Sequence, residues 1–306
     1  MVRPAGDGKL TKRREALLGE LQIAVDFTTL PLRPDVFTID AFVAFGRELG
    51  PFSLRWYSLS YIAAIVLGWC MLAKMIKLPG SPMNSEQLDS FITWATLGVI
   101  IGGRLGYVLF YNPDQYMAEP LSILRLWDGG MSSHGGIAGV LIACFGFGRA
   151  NKVSGLRTLD FVAVVSPLGL GLGRLANFVN GELWGRPTGT NWGVIFPDAG
   201  PEPRYPSQLF EATLEGAILL SVMLALFWGT RARLRPGLLA GVFGVCYGIS
   251  RFIVEFFREP DRQLGFLSSG LTMGQTLTIP MVIIGGILIL RAVSRPPLPL
   301  TAPLAA

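Results

Sequence analysis

Three arginines stand inside apolar stretches of this chain: Arg104, Arg174 and Arg251. A guanidinium stays charged at any physiological pH and presents five N–H donors in a planar fork that matches carboxylate or phosphate oxygens. Burying such a group among apolar residues is costly, so each marks a functional hypothesis. Arg174 lies in GLGRLANFVNGELWGR, where Asn177 follows at i+3 and Gly181 at i+7, on one helical face. Tyr247, Arg251, Glu255 and Arg258 are spaced by four, four and three residues, a polar stripe along an otherwise apolar helix. Glu211 and Glu215 open another apolar stretch at i, i+4. His134, the chain's single histidine, sits in SSHGG and could exchange a proton near neutral pH. Several cations at one depth suit an anionic ligand that reaches that depth, such as a phospholipid headgroup.

Each group also has a plainer reading. Arg251 with Glu255 can be an intrahelical structural pair, and Glu211 with Glu215 can sit near a water interface and pair with arginines elsewhere. Arg104 can be a structural partner for one of those carboxylates. His134 can be a hydrogen-bonded core residue, and Tyr57 beside Trp56 an aromatic anchor at a membrane surface. Convergence argues for function: in the orientation set by the positive-inside rule, His134, Arg174, the loop after it and the Arg251–Glu255 stripe all fall in the outer half of the membrane.

The elements that hold these residues follow from composition. The 306 residues include 26 Lys and Arg and 21 Asp and Glu, so only 15% are charged while 51% are hydrophobic. Soluble domains carry about 25% charged residues. A polytopic membrane protein is the class that remains, and the 38 glycines suit close helix packing in lipid. The net charge of +5 does not signal nucleic acid, because the basic residues sit at the ends of apolar stretches rather than on a solvated face with interleaved aromatics. Cys70, Cys144 and Cys246 lie singly within apolar stretches and read as small buried hydrophobes. One histidine and scattered carboxylates imply no metal, and no cofactor is expected.

A membrane span needs about 20 mostly apolar residues. Seven windows qualify: Trp56–Ala73, Phe91–Phe110, Met131–Phe147, Phe161–Val179, Leu209–Trp228, Gly237–Phe257 and Leu271–Leu290. The expected architecture is therefore all-α, with seven transmembrane helices over residues 31–295 and a small extracytoplasmic head at about 180–207, between the fourth and fifth. Residues 296–306 read as a C-terminal tail. Met1–Leu30 is polar and basic and lacks the apolar core of a cleavable signal, so it reads as a disordered or extra N-terminal extension. Lys74, Lys77, Arg149, Lys152, Arg157, Arg231, Arg233, Arg235, Arg291 and Arg295 label one side of the membrane. By the positive-inside rule that side is cytoplasmic, which puts the N-terminus outside and the C-terminus inside.

The strings GGRLGYVLFYN (Gly102–Asn112), DGGMSSHGG (Asp128–Gly136), GRLANFVNGELWGRPT (Gly173–Thr188), RYPSQLFEATLEG (Arg204–Gly216) and YGISRFIVEFFREPD (Tyr247–Asp261) closely resemble the prolipoprotein diacylglyceryl transferase family, in order from about Asp35 to about Arg291. The resemblance implies a seven-span enzyme of the bacterial plasma membrane. It implies transfer of the diacylglyceryl group of phosphatidylglycerol to the thiol of a lipobox cysteine in a preprolipoprotein, with release of glycerol phosphate. Position by position, Arg174 matches the family's phosphate-holding arginine and Arg251 its second essential arginine. His134 matches the histidine of its HGG motif, while Asn177, Glu182 and Gly185 match its polar signature loop. Tyr57, Tyr247 and Glu255 resemble further positions implicated in activity, and Arg104 joins the substrate-binding candidates. The chain departs from the family where HPSQLYE is common, reading Tyr205-Pro-Ser-Gln-Leu-Phe210-Glu211, which leaves His134 as the one imidazole.

The implied reaction is an S-alkylation. The thiol, with an ordinary pKa of about 8.5, must lose its proton, and the departing phosphate must be stabilised. Arg174 and Arg251 suit the phosphate, and His134 either accepts the proton or orients the headgroup, with Glu255 as the rival base. A lipid transporter would show internal repeats, and none stands out between the halves. An intramembrane serine protease would need a GxSxG elbow, which is absent.

Overall fold

The computed structural model describes residues 23–44, 47–126, 129–260 and 265–299. Most of them are helical. The helices are α1 (Trp56–Met75), α2 (Ser85–Phe110), the short α3 (Pro113–Ala118), α4 (Ser133–Ala150), α5 (Gly155–Val179), α6 (Ser207–Gly229), α7 (Leu238–Val254) and α8 (Met273–Val293). All seven expected windows hold a helix. Five of these, α1, α2, α5, α6 and α8, are long and apolar enough to cross a membrane, whereas α7 is shorter, with 17 residues, and α4 has 18. The chain is a multi-pass membrane protein.

Helix ends follow local chemistry. α2 starts at Ser85, ahead of the expected Phe91, because Asn84 and Gln87 form a reciprocal capping box: each side chain accepts the other's backbone N–H, at 2.8 and 3.0 Å. α5 stops at Val179 through a Schellman turn. Gly181, at φ +66°, lets its N–H reach the Phe178 carbonyl while the Glu182 N–H reaches that of Asn177.

The all-helical expectation needs correcting by six short strands. β1 (Ile23–Asp26) pairs in parallel with β6 (Trp192–Ile195). β2 (Asp35–Ile39) pairs antiparallel with β5 (Phe52–Arg55), and β3 (Phe42–Ala44) with β4 (Arg47–Leu49). The expected N-terminal extension reaches into the same place. Its first 22 residues lie outside the described ones, but from Ile23 to Leu30 the chain is a strand and a 3₁₀ turn whose Phe27 is buried with Phe178, Val194 and Phe196. Phe27 supplies that packing, while Val25 is exposed. Charged Asp128, Asp261 and Arg262 also lie outside the described residues.

The chain forms two compact units. The first gathers the described residues up to Ile62 with Gly169–Ala217 and Ile249–Ile279. Its α5 and α6 come together where Gly171 faces Gly216; a Cβ on Gly171 would lie 3.1 Å from the Gly216 Cα. The second unit comprises Ala63–Leu168, Ile218–Gly248 and the residues from Pro280 onward. Its core holds Phe91, Phe147, Phe161, Met223, Phe227 and Leu239, with Cys144 fully buried among them. A small-residue ladder flanks Arg104: Gly98, Gly102 and Gly106 of α2 press against Gly135 and Gly139 of α4, leaving no room for a Cβ. Asp160 caps α7 from a distance, accepting the N–H groups of Gly237 and Ala240 at 2.6 and 2.8 Å. The expected tail is held at Leu298, whose N–H reaches the Leu234 carbonyl.

Candidate functional site

The first unit contains a cluster of three arginines and three glutamates. Arg174 comes from α5, one turn after the Gly171–Gly216 contact that brings α6 close. Glu211 and Glu215 come from α6, where residues Ala212–Ile218 form a π-helical turn. Such wide turns concentrate at functional sites. Arg251 lies near the end of α7, with Glu255 and Arg258 just beyond it. Regular helix stops at Val254, yet the N–H groups of Glu255 and Arg258 still bond the carbonyls of Arg251 and Val254, four residues back. The expected polar stripe is therefore carried one turn past the helix.

Glu211 is the hub. Its carboxylate lies 2.5 Å from Arg174 Nε, 3.1 Å from Arg251 Nη1 and 2.9 Å from Arg258 Nη1. Glu255 takes Arg251 Nη2 at 2.6 Å and the Thr272 hydroxyl at 2.8 Å. Thr272 also caps α8 in a capping box with Gln275, so Glu255 sits at a helix N-terminus that favours its charge. Gly274 makes that approach feasible, since a Cβ there would lie 2.5 Å from a Glu255 oxygen. Glu215 is 3.8 Å from both Arg174 and Arg251, and neither of its oxygens is hydrogen-bonded to another described residue.

Exposure divides the cluster into a back and a front. The side chains of Glu211, Glu215 and Glu255 are 1%, 0% and 5% exposed, while those of Arg174 and Arg251 are 20% and 15% exposed. The carboxylates are sealed behind the guanidiniums. An arriving anion therefore meets positive charge first, and the glutamates keep the arginines spread and oriented.

The polar loop after α5 is assembled beside this cluster. Glu182 accepts from the side-chain amides of Asn177 and Asn180 at 2.8 and 3.2 Å, and its carbonyl accepts from Gln208 at 2.7 Å. Tyr57 pairs its hydroxyl with that of Tyr61 at 3.2 Å and lies within electrostatic reach of Arg174 and Glu182. Gly185 is a backbone crossing point: its N–H bonds the Tyr205 carbonyl, and a Cβ would come within 2.6 Å of the Phe257 and Tyr205 carbonyl oxygens. Arg186 ties this loop to the end of α7, donating to the carbonyls of Arg258 at 2.7 Å and Glu255 at 3.2 Å. Tyr205 packs against Phe257, Phe210 and Trp192 at ring separations of 5.2, 6.4 and 5.8 Å.

The remaining expected site residues belong to the second unit. His134 occupies the first turn of α4, after the N-cap Ser132; it is exposed and has no hydrogen-bond or ionic partner among the described residues. Tyr247 stacks on Phe243, with the rings 5.7 Å apart. Arg104 is buried, and its five donors all go to backbone carbonyls. Nε donates to Ile123 at 2.8 Å, Nη1 to Gly129 and Gly130, and Nη2 to Ser122 at 2.7 Å and Arg125 at 2.9 Å, with Tyr116 under the guanidinium. Every N–H of the Arg104 guanidinium is thus engaged by a backbone carbonyl among the described residues.

Sequence reasoning left Glu211, Glu215 and Arg258 outside the site, although charge inside an apolar stretch was the signal. Thr272 and Gly274 carry only the faint signal of a Thr-x-x-Gln cap. Among the described residues no three His, Cys, Asp or Glu side chains gather closely enough to hold a metal.

A sequence profile of the prolipoprotein diacylglyceryl transferase family matches residues 44–291. The chain belongs to this family. A phosphatidylglycerol–prolipoprotein diacylglyceryl transferase of Zymomonas mobilis is 52% identical over 280 residues, covering 92% of this chain and 98% of the relative. A protein of the same name from Gluconacetobacter diazotrophicus is 51% identical over 258 residues, covering 84% and 92%. One from Rhodopseudomonas palustris is 54% identical over 244 residues, covering 78% and 85%.

Proposed function

We propose that this chain transfers the diacylglyceryl group of phosphatidylglycerol to the thiol of the lipobox cysteine of a preprolipoprotein, the first step of lipoprotein maturation. The observation that carries the reading is the ionic cluster with its arginines in front and its glutamates behind, in a chain about half identical to transferases of that name. In the reaction the cysteine thiol gives up its proton and its sulfur attacks the glycerol carbon that bears the phosphate. The carbon–oxygen bond breaks, its electron pair stays with the phosphate oxygen, and glycerol phosphate departs. Arg174 and Arg251 hold that phosphate and stabilise the charge it gains. Donors aimed at a developing anion each contribute about 3–4 kcal/mol.

His134 accepts the thiol proton. Glu255 is the weaker candidate for a base, because Arg251 and Thr272 already engage its oxygens; it serves to orient Arg251. Asn177, Glu182 and Gly185 shape the headgroup side of the site, Tyr57 lines it, and Tyr247 is a further residue on which activity depends. Arg104 acts at one remove, by fixing a loop. α4 and α7 join the five longer helices to give seven spans, since about 18 residues of helix rise about 27 Å, close to the thickness of the hydrocarbon layer. The basic helix ends from Lys74 to Arg295 face the cytoplasm, so residues 180–207 form an extracytoplasmic head, the N-terminus is outside and the C-terminus inside.

The test combines purified protein, phosphatidylglycerol vesicles and a lipobox peptide, and reads the peptide mass. A diacylglyceryl increment that disappears when the peptide cysteine is replaced by serine is the expected result; no increment overturns the reading. The His134→Gln enzyme should lose about 10²–10⁴-fold in turnover while still binding phosphatidylglycerol. Near-normal turnover would remove His134 from the role of base.

A further inference from the structure

The ribbon formed by β2 to β5 has a two-sided character that the transfer reaction does not explain. Phe37 stands opposite Leu54 and Ile39 opposite Phe52, which places all four on one face. Thr38 and Ser53 stand opposite each other on the other face, their hydroxyls 2.9 Å apart. Val36 is the extra residue of a bulge between Asp35 and Phe37, and beyond it the alternation is regular. Phe37, Ile39 and Phe52 are each about half exposed, at 53%, 50% and 53%, and Val43 further along is 76% exposed. A two-stranded ribbon is marginal in water, and an uncovered apolar face of this kind marks an interaction surface.

The base of the ribbon says what covers it. The Trp56 N–H, at the first residue of α1, bonds the Pro34 carbonyl at 3.1 Å, and Arg55 pairs with Asp35 at 3.4 Å. Both strands are thus fastened at the residue where a membrane-spanning helix begins. That helix opens with Trp56, Tyr57 and Tyr61, the aromatic types that settle at the membrane–water boundary. Tyr61 and Ile62, in the first two turns of that helix, are as open as the ribbon's apolar residues.

We infer that the β2–β5 ribbon lies in the membrane interface with Phe37, Ile39 and Phe52 against phospholipid and Thr38 and Ser53 toward water. It works as an amphipathic plate that holds the entrance to α1 at a set depth in the lipid.

The test uses the full chain in proteoliposomes of phosphatidylethanolamine and phosphatidylglycerol, with the photoreactive residue p-benzoylphenylalanine placed at Phe52, at Phe37 or at Ser53. Irradiation followed by intact mass measurement should show a phospholipid adduct at Phe52 and Phe37, with at least fivefold less at Ser53. Phe37 provides a second probe on the same face should the change at Phe52 spoil folding. Equal yields on both faces, no phospholipid adduct at either phenylalanine, a cross-link between two copies of the chain, or a cross-link to added lipobox peptide would each overturn the inference.

Discussion

Two buried arginine sites in this molecule use the same side chain for opposite purposes. In the second unit, Arg104 spends every donor on backbone carbonyls of residues 122–130 and immobilises that loop. In the first unit, Arg174 and Arg251 are held by carboxylates, and part of each side chain stays open. A guanidinium tied to five carbonyls is locked, because releasing it would give up five hydrogen bonds at once. A carboxylate-tied one can turn to a phosphate of similar geometry while its glutamates continue to neutralise it. A buried arginine in a membrane helix is therefore no guide to function until its partners are known.

Substitutions can break or sharpen this contrast. The largest effect on the reaction is expected for Arg174→Lys, which keeps the charge but loses the fork. Turnover should fall about 10²–10³-fold, matching about 3–4 kcal/mol of lost stabilisation, with heat stability little changed. Wild-type turnover would show that a point charge is enough. Glu211→Gln leaves three guanidiniums without their shared counter-charge, and breaking a buried pair from one side costs about 3–5 kcal/mol. Thermal unfolding in detergent should report that loss, with transfer activity falling alongside it.

Arg104→Lys should cost about 2 kcal/mol, since two of five hydrogen bonds disappear. Its turnover per folded molecule should stay within about twofold. A rise in the KM for phosphatidylglycerol at unchanged stability would instead make Arg104 a ligand contact and erase the contrast. The smallest effect is expected for Thr272→Val, which removes one hydroxyl bond to Glu255 and one helix cap, about 1–2 kcal/mol in melting experiments. Here kcat should fall more than KM if Glu255 acts by orienting Arg251.

Much of this contrast was legible in part. Apolar windows reveal helices because lipid allows little else, so each of the seven expected windows holds one. The strands were hidden by context: IAVD and DVFTI are too short to announce a sheet, and their partners lie elsewhere in the chain. Arg174, Arg251 and Glu255 stood out as charges in apolar surroundings. Glu211 and Glu215 gave the same signal, but at the start of a window a carboxylate can equally reach water, and the spacing cannot distinguish the two.

The sequence by itself determined that the chain spans a membrane, which family it belongs to, and which charged residues had to find partners there. Those properties follow from residue type and local order, which are written in the chain. Only the tertiary structure decided who the partners are. Arg104 and Arg174 are both arginines in glycine-rich helices, and nothing local separates them. One is ringed by the backbone carbonyls of a loop, and the other faces two glutamates across a glycine-to-glycine contact. The difference comes from which helices meet, and that is settled by the packing of segments far apart in the chain.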